Sequence, residues 1–205
     1  MAQYFSIHPE NPQPRLINQA ADIVRRGGLI VYPTDSAYAI GCHIGDKMAL
    51  DRIRAIRDLD KEHNFTLLCR DLSELANFAR VDNAAFRLLR NYTPGPFTFI
   101  LNATSDVPRR LLHPKRKTVG LRIPENNIAL ALVEALDEPM LTCSLILPPK
   151  SLPETDAADI REALEHQVEL VIDGGHCGVD PTTVVDLTGA SPVIRRQGKG
   201  ELPDL

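Results

Sequence analysis

Gly28-Leu-Ile-Val-Tyr-Pro-Thr-Asp-Ser-Ala-Tyr-Ala-Ile-Gly-Cys42 is the stretch on which the fold turns. Leu29–Tyr32 is a short apolar run after Gly27-Gly28, the pattern of a buried strand. Pro33 ends it, because proline has no N–H to give a ladder. Thr34, Asp35 and Ser36 then leave the strand at its carboxyl end, where ligands gather in open α/β sheets. Pro-Thr-Asp-Ser is equally good turn chemistry, so local composition leaves both readings open. Gly41 is expected to turn the backbone ahead of a helix that starts near Asp46.

Outward from this stretch, helices and strands alternate. Ile17, Ala20, Ala21 and Val24 make one apolar stripe on a helix over Leu16–Arg26, with Arg25 and Arg26 placed to suit its dipole. Residues 46–57 form a second helix with Met48, Leu50, Ile53 and Ile56 inward. Phe65–Cys69 reads as a strand, and Asp71 and Asp82 each cap a following helix, the second over Asn83–Asn91. Thr93–Leu101 is a tight turn feeding a strand, and Lys115–Pro124 is a basic approach to a strand that again stops at proline. Asn127–Leu136 is a helix, Met140–Leu147 a strand, Ile160–His166 a helix and Val168–Ile172 a buried strand. Thr182–Leu187 and Pro192–Arg196 close the chain as paired strands. Interleaving of this kind predicts an α/β (α+β) protein with a mixed sheet.

The 205 residues suit one domain over 1–205, with ample length to bury a core. A net charge of −4 does not advertise nucleic-acid binding, so any basic surface must be local. Cys42, Cys69, Cys143 and Cys177 are too widely spaced for a zinc site or a disulfide framework and read as buried, inert thiols of a reducing compartment. His176 beside Cys177 is too small a ligand set, and no metal site is expected. Met1–Glu10 lacks the basic start and apolar run of a secretory signal, and no segment has the length of a membrane span. The expected location is the cytoplasm, with no membrane partner.

Several strands end in hydroxyls or basic groups. Thr34 with Ser36, Thr142 with Ser144, and Thr182 with Thr183 supply hydroxyls; Arg122, Arg195 and Arg196 supply guanidinium groups. Lys115, Arg116 and Lys117 add a cluster of positive charge, or simply a solvated loop. Hydroxyls, backbone N–H groups and arginines are what a phosphate chain requires. Neither a Walker Gly-x-x-x-x-Gly-Lys segment nor a Gly-x-Gly-x-x-Gly turn is present.

Taken in order, Tyr32–Tyr38 with Gly41-Cys42, Thr93–Thr98, Val119–Pro124, Thr142-Cys-Ser144, Pro181–Asp186 and Arg196-Gln-Gly198 resemble the YrdC-like family of threonylcarbamoyl-AMP synthases. His63–Leu75 and Val107–Leu112 are most similar to its YciO branch. The resemblance implies a twisted open sheet around a large, concave, locally basic cavity. It also implies a reaction in which L-threonine and bicarbonate form a carbamate that attacks the α-phosphorus of ATP, bound with Mg²⁺, and releases pyrophosphate. The product serves a tRNA modification.

By motif position, Thr34, Tyr38 and Thr142 would contact the threonine or carbamoyl part. Arg57, Arg122 and Arg196 would face phosphates, with Arg57 and Thr34 closest to the chemistry. Ser144 and Thr182 would hydrogen-bond the nucleotide, with Thr183 assisting. Lys115, Arg116 and Lys117 would offer a surface to tRNA or double-stranded RNA. Two departures stand out. Synthases of the family carry Lys-x-Arg after the second helix and Ser-x-Asn on the later strand; here these positions hold Arg57-Asp-Leu59 and Ser144-Leu-Ile146. Arg54, Lys61 or His63 are the nearby candidates to compensate. Double-stranded RNA binding without synthesis, and hydrolysis of threonylcarbamoyl-AMP, are the two alternative functions.

Overall fold

The computed structural model describes residues 1–60, 63–113 and 115–203. In chain order the elements are β1 (Gln3–Ser6), α1 (Pro14–Arg25), β2 (Ile30–Tyr32), β3 (Ala39–His43), α2 (Lys47–Arg57), β4 (Thr66–Leu68), α3 (Leu72–Phe78), α4 (Asn83–Tyr92) and β5 (Phe97–Asn102). A single 3-10 turn at Arg109–Leu111 leads to β6 (Thr118–Arg122), α5 (Asn127–Leu136), β7 (Met140–Ser144), α6 (Ala157–Leu164), β8 (Leu170–Asp173), β9 (Thr183–Asp186) and β10 (Val193–Arg196). The strands join in one mixed sheet, ordered β1-β8-β2-β3-β7-β4-β6-β5-β9-β10. This is the twisted open α/β architecture that the alternation and the family resemblance imply.

Gly41 does not turn the chain. It lies in the middle of β3, opposite Ile30 of β2 and Thr142 of β7. The reversal falls instead on the Pro33–Tyr38 segment, where the Thr34 hydroxyl accepts from the N–H groups of Ser36 and Ala37 and donates to the Ala37 carbonyl. The glycine is there for packing, since the Leu141 carbonyl and the Tyr32 ring leave no room for a side chain. Met48 is also displaced from its expected place: it is exposed, and Ala49 takes the inward position. The helix over Leu16–Arg26 starts earlier, because Pro14 is well suited to a first turn that needs no N–H. The Gln3–Ser6 strand, too short and half-buried to announce itself, pairs in parallel with β8.

Aspartate and asparagine caps fix the helix starts. Asp46, Asp71, Asp82, Asn126 and Asp156 each accept a backbone N–H from the first turn of the helix that follows. Each such bond is worth about 1 kcal/mol.

The sheet has two different faces. On one, Ile17, Ala20, Ala21 and Val24 of α1 and Ile128, Leu132 and Val133 of α5 pack on Ile30, Tyr32, Met140, Leu170 and Ile172. On the other, α2, α3, α4 and α6 pack Leu50, Ile53, Leu75, Leu89 and Ile160 against Val31, Ile40, Leu67, Phe99, Leu121, Leu141 and Val171. Successive strand side chains point to opposite faces, so Leu67 and Leu68, or Val171 and Ile172, belong to different cores. The first face is covered from β1, through Phe5, to β7 and the end of β4, since Leu68 is the last strand residue across the sheet to join that core. Beyond it the same face carries Thr66 of β4, Thr118, Gly120 and Arg122 of β6, Thr98 and Ile100 of β5 and Val184 of β9. At the far edge all four residues of β10 are exposed, Val193 and Ile194 included.

A Cβ at position 41 would sit 3.0 Å from the Leu141 carbonyl oxygen and 3.0 Å from the Tyr32 ring, both in the core. Gly41→Ala is therefore expected to destabilise the protein by about 1–3 kcal/mol through overpacking. Denaturant unfolding should show a lower midpoint at unchanged m; an unshifted midpoint would show that β3 and β7 have room to separate.

Candidate active site

The uncovered part of the sheet is the floor of a cavity of about 740 Å³. Strand register decides which side chains reach it. Thr66 pairs with Gly120 and with Thr142, Gly120 also with Ile100, and Thr98 with Val184. Alternation from these pairs sends Thr66, Thr98, Thr118, Arg122, Thr142, Ser144 and Thr182 to one face, and all of them line the cavity. Their neighbours Leu67, Phe99, Leu121, Leu141 and Val185 lie in the opposite core. The hydroxyls are held in place: Thr98 and Thr182 are 2.9 Å apart, and Thr142 is 2.5 Å from the buried Tyr32 hydroxyl. Gly120 keeps the floor open, because a Cβ there would press to 3.2 Å from the Thr66 oxygen.

Arginines form the walls. Arg57 ends α2, Arg116 precedes β6, Arg122 ends it, and Arg195 and Arg196 come from β10. Arg196 donates from Nε and Nη2 to the Thr182 carbonyl, at 3.1 and 2.9 Å, and from Nη2 to the Thr182 hydroxyl at 3.2 Å. Burial lowers its pKa below the ordinary arginine value, and a guanidinium starts from so high a value that it stays charged. Arg195 is committed to Asp186, at 2.7 Å.

Arg122 is 5% exposed and forms a buried ion pair with Asp35, whose side chain is equally enclosed. Its Nη2 also lies 3.4 Å from the Ser36 hydroxyl, and its Nε is buried without a hydrogen-bond partner among the described residues. Removing the arginine would leave a buried carboxylate uncompensated, a loss of about 3–5 kcal/mol.

At the other end Arg57 donates to the Ile146 carbonyl, and its Nε too is buried and unpartnered among the described residues. The Cys143 thiol lies beside it, pushed up to about 11 by burial despite the opposing arginine. At neutral pH it is a protonated thiol, not a nucleophile. His63 lines the same end and packs edge-on against Phe65, at 5.1 Å between ring centres. Burial first, and then the Arg57 charge, lower its pKa below the usual histidine value.

The structure thus brings Arg57, Arg122, Thr142, Ser144, Thr182 and Arg196 to one cavity, as their motif positions suggested. It does not bring Thr34 or Tyr38 to the cavity wall. Thr34 is occupied within its own turn, and the Tyr38 hydroxyl donates to the Gly175 carbonyl at 2.6 Å. Thr183 faces away as well: its hydroxyl donates to the Gly200 carbonyl and accepts from the Gly198 N–H. Of the basic loop only Arg116 reaches the cavity, while Lys115 and Lys117 are exposed outside it. Leu59 packs into the core, Ile146 lines the cavity, and Arg54 lies over the Phe65 ring without lining it. Lys61 lies outside the described residues. Thr66, Thr98 and Thr118 were missed, although Thr66 and Thr98 each stand between apolar residues in the two-residue rhythm of a strand with one polar face; Thr118, after Lys117, carries no such signal.

Among the described residues no three His, Cys, Asp or Glu side chains gather as a metal site, and no helix is long and apolar enough to cross a membrane.

The lowered His63 value has a measurable sign. Since the unfolded chain takes the proton more readily than the folded one, His63 makes stability fall as pH drops through the unfolded value near 6.5 towards the folded pKa. Proton NMR should place its midpoint below that of a free histidine, and Arg57→Met should raise it. A midpoint unmoved by Arg57→Met would separate the two side chains electrostatically.

The sequence matches the Sua5–yciO–yrdC family, described as telomere recombination, over residues 22–198. It is 62% identical to an uncharacterised protein of Haemophilus influenzae over 98% of this chain and 97% of that one. The crystal structure of Escherichia coli YciO superposes with a TM-score of 0.95 at 60% identity, covering 99% of this chain and 98% of that one. The threonylcarbamoyl-AMP synthase of Pyrococcus abyssi is 31% identical over 89% of this chain and 54% of its own length. A crystal structure of P. abyssi Sua5 complexed with L-threonine gives a TM-score of 0.87 at 29% identity, covering 95% of this chain and 57% of that one. The chain therefore spans little more than half of that synthase. With the family's fold, its ordered segments and a match over residues 22–198, the chain belongs to the Sua5/YciO/YrdC family.

Proposed function

We propose that the cavity is an adenylate-forming site of the threonylcarbamoyl-AMP synthase type. Its substrates are L-threonine, bicarbonate and ATP, the last arriving as its Mg²⁺ complex. The observation that carries this reading is the combination of a hydroxyl-lined floor with separate arginines at Arg57, Arg122 and Arg196 around one cavity. Similarity to the P. abyssi synthase supports it.

Threonine and bicarbonate condense to a carbamate with loss of water. A carbamate oxygen attacks the α-phosphorus, the bond to the β-phosphate oxygen breaks, and pyrophosphate leaves with the electron pair. Such a transfer depends on alignment and on neutralising the phosphates. In this assignment Arg122 and Arg196 hold phosphate oxygens, and Ser144 and Thr182 hydrogen-bond the nucleotide. Arg57, fixed by the Ile146 carbonyl, and Thr142, fixed by Tyr32, face the carbamate end. Thr34 and Tyr38 act through the turn they hold rather than by touching substrate.

The protein should release pyrophosphate from ATP only when threonine and bicarbonate are both present. Arg196→Ala should lower kcat/KM by about 10²–10³-fold, the loss typical of one transition-state donor. An Arg196→Ala variant that binds ATP and turns over like the parent would remove this arginine from the assignment. If no pyrophosphate appears but added threonylcarbamoyl-AMP yields AMP, the same pocket works as a hydrolase. Salt-sensitive binding of double-stranded RNA without turnover would point to the exposed Lys115–Lys117 loop instead.

A further inference from the structure

Asp35 stands at a junction. One carboxylate oxygen accepts from Arg122 Nη2, and the other accepts the Glu125 N–H at 2.9 Å. Its backbone carbonyl accepts from the Lys199 ammonium. One residue thereby ties the turn after β2 to the end of β6 and to the C-terminal segment. Its carboxylate also sits against the most deeply buried arginine of the cavity wall.

We propose that Asp35 is a positioning residue and counter-charge for Arg122: it fixes the guanidinium at the cavity wall and limits how tightly the cavity holds pyrophosphate-type anions. The inference rests on the reading of the cavity as a phosphate site. A carboxylate acceptor orients a guanidinium by charge-assisted hydrogen bonding. The same carboxylate cancels much of the field that a phosphate would feel, and an anion placed on Arg122 is repelled by it across a few ångströms of poorly screened interior. A site that both binds a triphosphate and releases pyrophosphate benefits from such restraint, because full arginine affinity would retain the product.

Asp35→Asn separates charge from geometry. The amide oxygen can still accept the Glu125 N–H or an Arg122 donor, but the negative charge is gone. With inorganic pyrophosphate as probe and the full chain in the calorimeter, Asp35→Asn should bind roughly three- to tenfold more tightly than the parent. Adding Arg122→Gln should abolish the gain and bring affinity below the parent's. A merely structural aspartate would give unchanged or weaker binding, and that result in a folded Asp35→Asn protein overturns the inference while leaving the phosphate site standing. A parent protein that fails to bind pyrophosphate at all overturns the reading of the cavity, and the inference with it. If Asp35→Asn does not fold, nitrogen-15 NMR of the parent decides. The Arg122 side-chain signal, assigned by its loss in Arg122→Lys, must move when pyrophosphate is added. A stationary signal overturns the inference.

Discussion

Period-two alternation across a sheet covered unevenly by helices is the constraint from which the rest follows. From β8 to β7 each strand presents apolar side chains to two helical layers, so both faces are buried and both must be hydrophobic. Beyond Leu68 one layer ends while the other continues. The strands there keep one apolar face, with Phe99, Leu121 and Val185, and turn the other into a floor of threonine, glycine and arginine in which Ile100 and Val184 are the apolar strand residues. The cavity is thus not carved out of a core. It is the stretch of sheet that α1 and α5 do not reach.

On this floor polarity is costly unless each group has a partner, and the structure supplies partners in pairs. Thr98 holds Thr182, Tyr32 holds Thr142, and Asp35 holds Arg122. Among the described residues four guanidinium Nε atoms are buried without partners, and two of them, on Arg57 and Arg122, belong to side chains that line the cavity at separate places on its wall. A polar surface that is nearly satisfied, with a few donors held back, is organised to receive something with acceptor atoms. Phosphate and carboxylate oxygens meet that description.

Much of this was legible in the chain. The apolar run at Leu29–Tyr32, the stripe on α1 and the caps at Asp71 and Asp82 are local signals, and they appear where local physics puts them. Gly41 misled because a glycine near a turn segment has two uses, and the packing that chose between them comes from Tyr32 on the neighbouring strand and from Leu141, about a hundred residues away. Met48 misled because it is apolar but stands two residues before Leu50, about 200° round the helix, so Ala49 takes the inward place while Leu50, Ile53 and Ile56 stay on the core side. At the site, the order of motifs drew together Arg57, Arg122, Ser144, Thr182 and Arg196. What it did not separate was a hydroxyl on the cavity wall from one bonded within a turn or loop. Thr34, Tyr38 and Thr183 bear hydroxyls at the right positions but spend them on backbone carbonyls. For Thr183 the strand register decides the face on which the hydroxyl emerges, and for Thr34 and Tyr38 the folded Pro33–Tyr38 turn decides it.

The last strand carries a second consequence. β10 ends the sheet, with no strand among the described residues paired to its outer side, and its Val193 and Ile194 are exposed. A bare apolar edge invites another chain to extend the ladder. Only four residues long, it closes with Arg195 and Arg196, and its pairing with β9 is interrupted by an irregularity between Ile194 and Arg196. Arg196 brings a positive charge to this short, kinked edge and repels its counterpart on an approaching copy, while Arg195, paired with Asp186, adds a bulky polar side chain. The groups that furnish the cavity with guanidinium also guard the protein against growing its own sheet into an aggregate.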